Sequence, residues 1–300
     1  MKYRLGIDIG GTKIALGLIQ GEAGDATVSA MRRLEVTGVR DVYAELRSAA
    51  EALCTEMGIS PLEVTSCGVG VPGTVSRDGR RILKAPNIVL LEENFADSLS
   101  DALGLPVTLV QDSRAAAWGE FLCGGGRGME SVICVTLGTG IGTGIVLGGR
   151  IYHGALGTAG ELGHLPVRRD GRPCGCGKRG CLEKYCAGGG LDITARELLG
   201  SGKTARDLFA AEREGNADAK VAITHAVTLL GQAIVAAINL LSPNAVLFSG
   251  GLCEEKNYLE PLKEYVAEHC YVGEARPVLK KAELGALAPL VGAALCDLSE

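Results

Sequence analysis

Asp8-Ile9-Gly10-Gly11-Thr12-Lys13 is the stretch that decides how this chain folds. It closes an alternating segment, Arg4-Leu5-Gly6-Ile7-Asp8-Ile9, with the period of a strand, and opens a second strand from Lys13 to Gln20. Between them, Gly10-Gly11-Thr12 makes a turn whose backbone N–H groups are free of obstructing Cβ atoms and suit a phosphate. Asp8 changes the meaning of that turn. A carboxylate just ahead of a phosphate cradle repels the anion unless a divalent cation sits between them. Acid, glycine turn, hydroxyl and lysine in this order describe a Mg-nucleotide site; a plain hairpin with Asp8 as a turn residue is the alternative. Two further glycine turns end apolar runs, Gly138-Thr139-Gly140-Ile141-Gly142 and Ser249-Gly250-Gly251, and this recurrence favours nucleotide binding.

Outward from the first turn, Thr27 to Val36 reads as a third strand. Asp41 to Met57 reads as a helix with an acidic N-cap and a stop at Gly58. A strand from Val64 to Val71, a helix around Phe95 to Leu103, a strand from Pro106 to Gln111 and a helix from Ser113 to Leu122 follow. The opening theme then returns as a strand from Ser131 to Leu137, the turn Gly138-Thr139-Gly140, and a strand from Ile141 to Leu147. Ile9-Gly10-Gly11-Thr12 aligns with Leu137-Gly138-Thr139-Gly140, either as an internal duplication or as two glycine hairpins alike in composition. Gly124-Gly125-Gly126-Arg127-Gly128 is a natural hinge before the second unit. A long helix near Ala217 to Leu241, a strand from Ala245 to Ser249 and closing helices complete the pattern.

Three hundred residues exceed what one core usually organises, so two domains are expected, 1–115 and 116–284, the second with a cysteine-rich loop. Hydrophobic residues at 47% and charged ones at 22% describe a globular chain, and a net charge of −5 lacks the basic footprint of a nucleic-acid binder. The short apolar run that Asp8 interrupts gives no export signal, and Ala226 to Leu241, with Gln232 and Asn239, reads as a buried helix, not a membrane span. Eleven cysteines in such a chain point to reduced thiols or a metal, and the expected location is the cytoplasm.

Two familiar fingerprints fail. Gly68-Val69-Gly70-Val71-Pro72-Gly73 has the letters of a dinucleotide loop, yet Pro72 and Thr74-Val75-Ser76-Arg77 open no helix. Gly6 to Lys13 has the spacing of a Walker A loop but reads Gly-Thr-Lys and also precedes a strand. His164, Cys174, Cys176 and Cys181, by contrast, crowd into a Gly- and Arg-rich stretch, a Cys₃His set of the closed, structural zinc type. Cys186 is a rival fourth ligand, and free thiols are the alternative.

Taken together, Asp8-Ile9-Gly10-Gly11-Thr12-Lys13, Gln111-Asp112, Gly119-Glu120, Leu137-Gly138-Thr139-Gly140 and Phe248-Ser249-Gly250-Gly251 resemble the ROK sugar kinases and repressors. Gly160-Glu161-Leu162-Gly163-His164, Cys174-Gly175-Cys176-Gly177 and Gly180-Cys181-Leu182-Glu183 extend the resemblance, which runs from residue 6 to about 295. It implies an α/β, two-domain actin-like, ribonuclease-H-like ATPase fold with an interdomain cleft, a zinc-bearing loop, and a last helix (285–300) packing back on the first domain. It also implies a homodimer, and transfer of the ATP γ-phosphoryl group to a hexose 6-hydroxyl, most simply that of glucose. N-acetylmannosamine, allose or fructose kinases, and a sugar-sensing relative without chemistry, are the alternatives. The phosphate loop begins at residue 8, where the family's repressors would need room for a helix-turn-helix, so a kinase is expected.

By the same resemblance Asp112 is the catalytic base, with helix N-cap as its plainer role. Asp8 organises Mg²⁺; Gly10, Gly11, Thr12, Lys13, Gly138, Thr139 and Gly140 serve the phosphates, and Gly250 and Gly251 the adenosine. Gly73, Asn87, Gln111, Asp112, Glu161, His164 and Glu183 line the sugar site, with His164 shared between zinc and sugar. Three residues depart from the family pattern: Gln111 replaces Asn, Arg114 a smaller residue, and Thr143 a glycine. Arg114 is expected to favour ionised Asp112. Ala115-Ala116-Ala117-Trp118-Gly119-Glu120-Phe121 is similar to the N-acetylmannosamine kinases.

Overall fold

The computed structural model describes residues 2–36, 41–84, 92–271, 273 and 275–296. Asn87 and the end of the chain beyond 296 lie outside the described residues. The chain forms two compact units, Met1–Gly128 with Gly144–Ala159 and Glu283–Glu300, and Met129–Thr143 with Gly160–Ala282. The first division falls in the glycine run at Gly128 and not at residue 115. The reason lies in packing: the helix that follows Gln111 is pressed against the last helix of the chain, and both stay in the first unit.

In the first unit the strands are β1 (Tyr3–Ile9), β2 (Lys13–Gln20), β3 (Thr27–Glu35), β4 (Val64–Val71), the short β5 (Thr74–Val75) and β6 (Ile82–Lys84), and β7 (Val107–Gln111). The helices among them are α1 (Val42–Met57), α2 (Phe95–Leu103) and α3 (Asp112–Cys123). α1 starts where Asp41 accepts the N–H groups of Tyr43 and Ala44, and stops at Gly58, which takes the left-handed conformation that favours glycine. The main sheet runs β3-β2-β1-β4-β7. β1, β2 and β3 form an antiparallel meander, while β4 and β7 add in parallel. Leu5, Ile7, Leu16, Leu18, Val69 and Leu109, all fully buried, join Leu46 and Leu53 of α1 and Phe95 of α2 in one core.

The second sheet begins with β8 (Val132–Leu137), β9 (Ile141–Leu147) and β10 (Arg150–Ile151). Then come α4 (Glu183–Cys186), α5 (Gly188–Leu199), α6 (Ala205–Arg213), α7 (Ala217–Leu241), β11 (Ala245–Ser249), α8 (Lys256–His269) and β12 (Val278–Lys281). The order β10-β9-β8-β11-β12 repeats the pattern of the first sheet: a hairpin-rich side, then strands added in parallel. α7 is long and apolar enough to cross a membrane by length and composition. Ile223, Ala226, Val227, Leu230, Ile234 and Ile238, at helical spacing, instead bury one face of it in the core of the second unit.

The last helix, α9 (Ala288–Ala294), packs on β1, β4 and α3 of the first unit. Glycines make that approach possible. A Cβ on Gly68 would lie 1.7 Å from the Ala293 carbonyl oxygen, one on Gly6 2.3 Å from that of Leu290, and one on Gly119 2.3 Å from that of Ala288. The first glycine of the dinucleotide-like Gly68-Val69-Gly70 is therefore a seat for a helix. Glu120, fully buried at 0% exposure, completes the corner. Its oxygens accept the N–H groups of Gly125 (2.9 Å), Glu283 (2.9 Å), Leu284 (2.7 Å) and Gly285 (3.1 Å). It fixes both the segment that leaves α3 and the one that leads into α9.

Candidate functional site

The first unit gathers its candidate residues at the carboxyl ends of β1, β4 and β7, the end where α/β sheets hold ligands. Asp8 stands opposite Gly70 in the ladder, Gly70 opposite Val110, and Val71 opposite Gln111. Asp112 follows directly as the first residue of α3. Gly70 lies between the two acids: a Cβ there would be 3.4 Å from Asp8 Oδ1 and 3.8 Å from the Asp112 Cα. Burial, and then the charge of Asp112, push the Asp8 carboxyl up to about 6. Two carboxyls in one half-buried corner are the arrangement that a divalent cation relieves, so Asp8 fits the Mg²⁺ role assigned to it.

This shift has a consequence for the protein without Mg²⁺. Folded Asp8 keeps a proton that unfolded Asp8 releases, so stability falls as pH rises from about 4 to about 6, and the loss persists above that. Asp8→Asn is expected to raise stability by about 2 kcal/mol at pH 8 and very little at pH 4. Urea midpoints at the two pH values, in the presence of a chelator, test this; equal shifts would contradict it.

Around the first turn, the Gly10 N–H donates to the Lys13 carbonyl (2.8 Å) and the Thr12 carbonyl accepts from the Val36 N–H (2.9 Å). A Cβ on Gly11 would meet no atom within 4 Å, which leaves that backbone open to a ligand. Lys13 reaches back to Glu35, 3.5 Å away, with both side chains exposed. Gly73 has φ of 110°, as a tight turn at a strand end requires. The N-cap of α3 is Gln111, not Asp112; Asp112 Oδ1 accepts the Ser113 N–H at 2.6 Å. Arg114, 3% exposed, donates to the carbonyls of Gly157 (2.7 Å) and Ala159 (3.0 Å), and its Nη1 lies 3.4 Å from His153 Nδ1. Its guanidinium thus secures the 153–159 loop, a job the sequence did not suggest.

In the second unit, the turns Gly138–Gly140 and Gly250-Gly251 lie side by side after β8 and β11. Thr136 and Ser249 are ladder partners whose hydroxyls meet at 3.0 Å. Gly250 has φ of 94°, and a Cβ on it would lie 2.4 Å from the Leu137 carbonyl oxygen, so only glycine fits. Behind the first turn stand residues that sequence reasoning missed. The N–H groups of Gly188 and Gly189, opening α5, donate to the carbonyls of Gly138 (2.8 Å) and Thr139 (3.0 Å). The run Gly188-Gly189-Gly190 was the available signal, since a Cβ on Gly188 or Gly189 would crowd those same carbonyl oxygens.

Glu161 precedes the 3₁₀ turn Leu162–His164, and His164 is its last residue. Gly160 and Gly163 press it onto β9, because a Cβ on either would strike the Thr143 or Ile141 carbonyl oxygen at 2.4 or 2.6 Å. His164 faces two ways. Its Nε2 lies 3.7 Å from Glu161 Oε2, and its Nδ1 lies 3.6 Å from Cys174 Sγ. Glu183, at the start of α4, accepts from Cys174 Sγ at 3.2 Å, and its other oxygen faces Gly140, where a Cβ would come within 2.9 Å.

The donor atoms of His164, Cys174, Cys176 and Cys181 all lie within 4.8 Å of one another. Zinc–sulfur bonds of about 2.3 Å set the edge of a tetrahedron at about 3.8 Å. The 3.6 Å separations between Cys176 and Cys181 Sγ, and between His164 Nδ1 and Cys174 Sγ, match that edge. The set therefore fits a closed tetrahedral zinc site. Cys186, the rival ligand, instead donates to the Ala226 carbonyl inside the core, and burial holds its thiol far above the usual range.

The sequence profile of the ROK family matches residues 4–298. The chain belongs to the ROK family. Among curated relatives, the glucokinase of Streptomyces coelicolor is 33% identical over 98% of this chain and 97% of its own. The N-acetylmannosamine kinase of Citrobacter koseri is 32% identical over 97% of each. Among solved structures, the ROK hexokinase of Thermus thermophilus superposes with a TM-score of 0.85 at 34% identity, over 98% of this chain and 97% of that one. A ROK family glucokinase from Streptomyces griseus, in complex with glucose and AMPPNP, does so with a TM-score of 0.78 at 33% identity, over 97% and 98%. The α/β architecture of this ROK protein, with its mixed sheets, is thus that of the family's sugar kinases.

Proposed function

We propose that this ROK protein transfers the γ-phosphoryl group of ATP to the 6-hydroxyl of glucose. The observation that carries the proposal is the pair Asp8 and Asp112 across Gly70, at the ligand-binding end of the first sheet. Phosphoryl transfer needs charge neutralisation, positioning and an acceptor for the hydroxyl proton. Mg²⁺, held through Asp8, would supply the first by neutralising the β- and γ-phosphates. Asp112 takes the proton from the sugar oxygen as the new O–P bond forms and the bond to the ADP oxygen breaks. Gly10, Gly11, Thr12, Lys13, Gly138, Thr139 and Gly140 serve the phosphates, with Gly250 and Gly251 toward the adenosine. Glu161, His164 and Glu183 bind sugar hydroxyls, alongside Gly73, Asn87 and Gln111. The close full-length relatives that act on glucose, one of them with glucose and an ATP analogue bound, support this assignment.

In the same proposal, zinc on His164, Cys174, Cys176 and Cys181 is structural, since four protein ligands leave no open position for chemistry. It fixes the sugar-binding turn through His164. The fold is of the actin-like, ribonuclease-H-like ATPase type; the like order of the two five-stranded sheets supports this. Thiols kept reduced, as the cluster requires, fit the cytoplasm. A second reading, phosphorylation of N-acetylmannosamine, is favoured by the Ala115 to Phe121 stretch and by the Citrobacter relative.

A coupled assay of ADP release over a panel of hexoses and N-acetylhexosamines decides between them. The highest kcat/KM is expected with glucose. A preference for N-acetylmannosamine would select the second reading, and no ADP from any sugar would leave a sugar sensor that has lost the chemistry.

A further inference from the structure

Arg172 stands two residues before the first cysteine of the cluster, and its side chain, 17% exposed, is spent on the corner between α4 and α5. Nη1 donates to the carbonyls of Lys184 (2.8 Å) and Gly190 (3.0 Å), and Nη2 to Thr194 Oγ1 (3.0 Å) and Glu197. The guanidinium also lies 5.0 Å from the centre of the Tyr185 ring, whose hydroxyl accepts the Arg172 backbone N–H at 2.8 Å. Gly190 lets α5 start tight against α4, because a Cβ there would come within 2.5 Å of the Glu183 carbonyl oxygen. The same corner carries Gly188 and Gly189, whose N–H groups hold the carbonyls of Gly138 and Thr139.

We propose that Arg172 is a positioning residue for the turn Gly138–Gly140, setting its geometry for the nucleotide through the α4–α5 corner. The inference rests on the reading of that turn as a phosphate loop. The path is short and made of hydrogen bonds of ordinary length. One nitrogen of the planar fork, Nη1, reaches the main-chain carbonyls on both sides of the corner while the other, Nη2, holds Thr194 and Glu197 of α5, a division of contacts that the single ammonium of a lysine does not reproduce. If the fork is lost, Gly188 and Gly189 are no longer held in the one orientation that presents their N–H groups to Gly138 and Thr139. The turn then no longer offers its own N–H groups to a phosphate in a preset array.

The test is calorimetric titration of the full chain, zinc loaded and with Mg²⁺ present, with the ATP analogue AMPPNP and, separately, with glucose. Elemental analysis gives zinc per chain. In Arg172→Ala the Kd for AMPPNP is expected to rise about tenfold, with zinc retained and glucose affinity within about twofold. Arg172→Lys is expected to behave alike, because it keeps the charge beside Glu197 but not the fork. It also serves where the alanine variant fails to fold.

AMPPNP affinity within twofold of wild type in both variants would overturn the proposal. So would a parallel loss of both ligands, or loss of zinc, which would make Arg172 a structural residue of the cysteine loop. Rescue by lysine would leave only its charge at work and would overturn it equally. Thr139→Ala separates this failure from that of the underlying reading. If it binds AMPPNP as wild type does, the turn is no phosphate loop and the proposal falls with it; if it binds weakly while the Arg172 variants do not, only the proposal falls.

Discussion

Replacing Asp112 with asparagine is expected to lower kcat about 10³-fold, close to 4 kcal/mol of transition-state stabilisation, while the affinity for AMPPNP stays within about twofold. Asparagine has nearly the volume of aspartate and still offers an oxygen to the Ser113 N–H, so α3 begins as before. What it lacks is a site for the proton that the attacking hydroxyl must lose. The loss should therefore fall on kcat and leave nucleotide binding intact. Single-turnover rates with glucose, set beside calorimetric binding of AMPPNP, are the measurement. Turnover above about a tenth of wild type would remove Asp112 from the role of base and would point to proton loss after the phosphoryl group has moved.

The second large effect concerns stability. Gly68→Ala places a methyl group 1.7 Å from the Ala293 carbonyl oxygen and 2.3 Å from its carbon. Both are backbone atoms of α9, so no side-chain rotation relieves the clash; the helix must move or the strand must bend. A cost of at least about 3 kcal/mol follows, seen as a fall in Tm of about 10 °C. Gly11→Ala is the control, because its Cβ would meet nothing within 4 Å and should leave Tm unchanged. Equal melting temperatures for Gly68→Ala and wild type would mean that α9 does not sit on β4 as described.

These two sites mark what was legible in the sequence and what was not. β1 and β2 were readable from alternation, β4 and β11 as short, largely buried apolar runs ending in glycine turns, α7 from helical spacing, and α1 because Asp41 and Gly58 punctuate it. Asp8 was readable because a carboxylate beside a glycine turn makes electrostatic sense only with a cation. The reason for Gly68 was not readable, since what it touches is the main chain of a helix more than two hundred residues away. In the segment from Gly160 to Thr204 the His–Cys cluster was readable, but the path of the main chain around it was not. Its order comes from contacts to carbonyls, by Arg172 above all, and such contacts leave no period in the sequence. Glu120 looked like one letter of a motif; its four backbone partners lie on two segments far apart in the chain. The compact unit runs past 115 to the glycine hinge at Gly128, because α3 takes its place from a partner at the far end of the chain.

The seat of α9 also constrains how the chain is made. When β1, β4 and α3 emerge from the ribosome, the grooves at Gly6, Gly68 and Gly119 are bare, and the helix that fills them has yet to be translated. The second unit, which has its own core, is synthesised in the interval and is free to fold first. The first unit must meanwhile persist as an open sheet with an uncovered face, the kind of nascent species that invites chaperone capture or premature association, until the last helix is released.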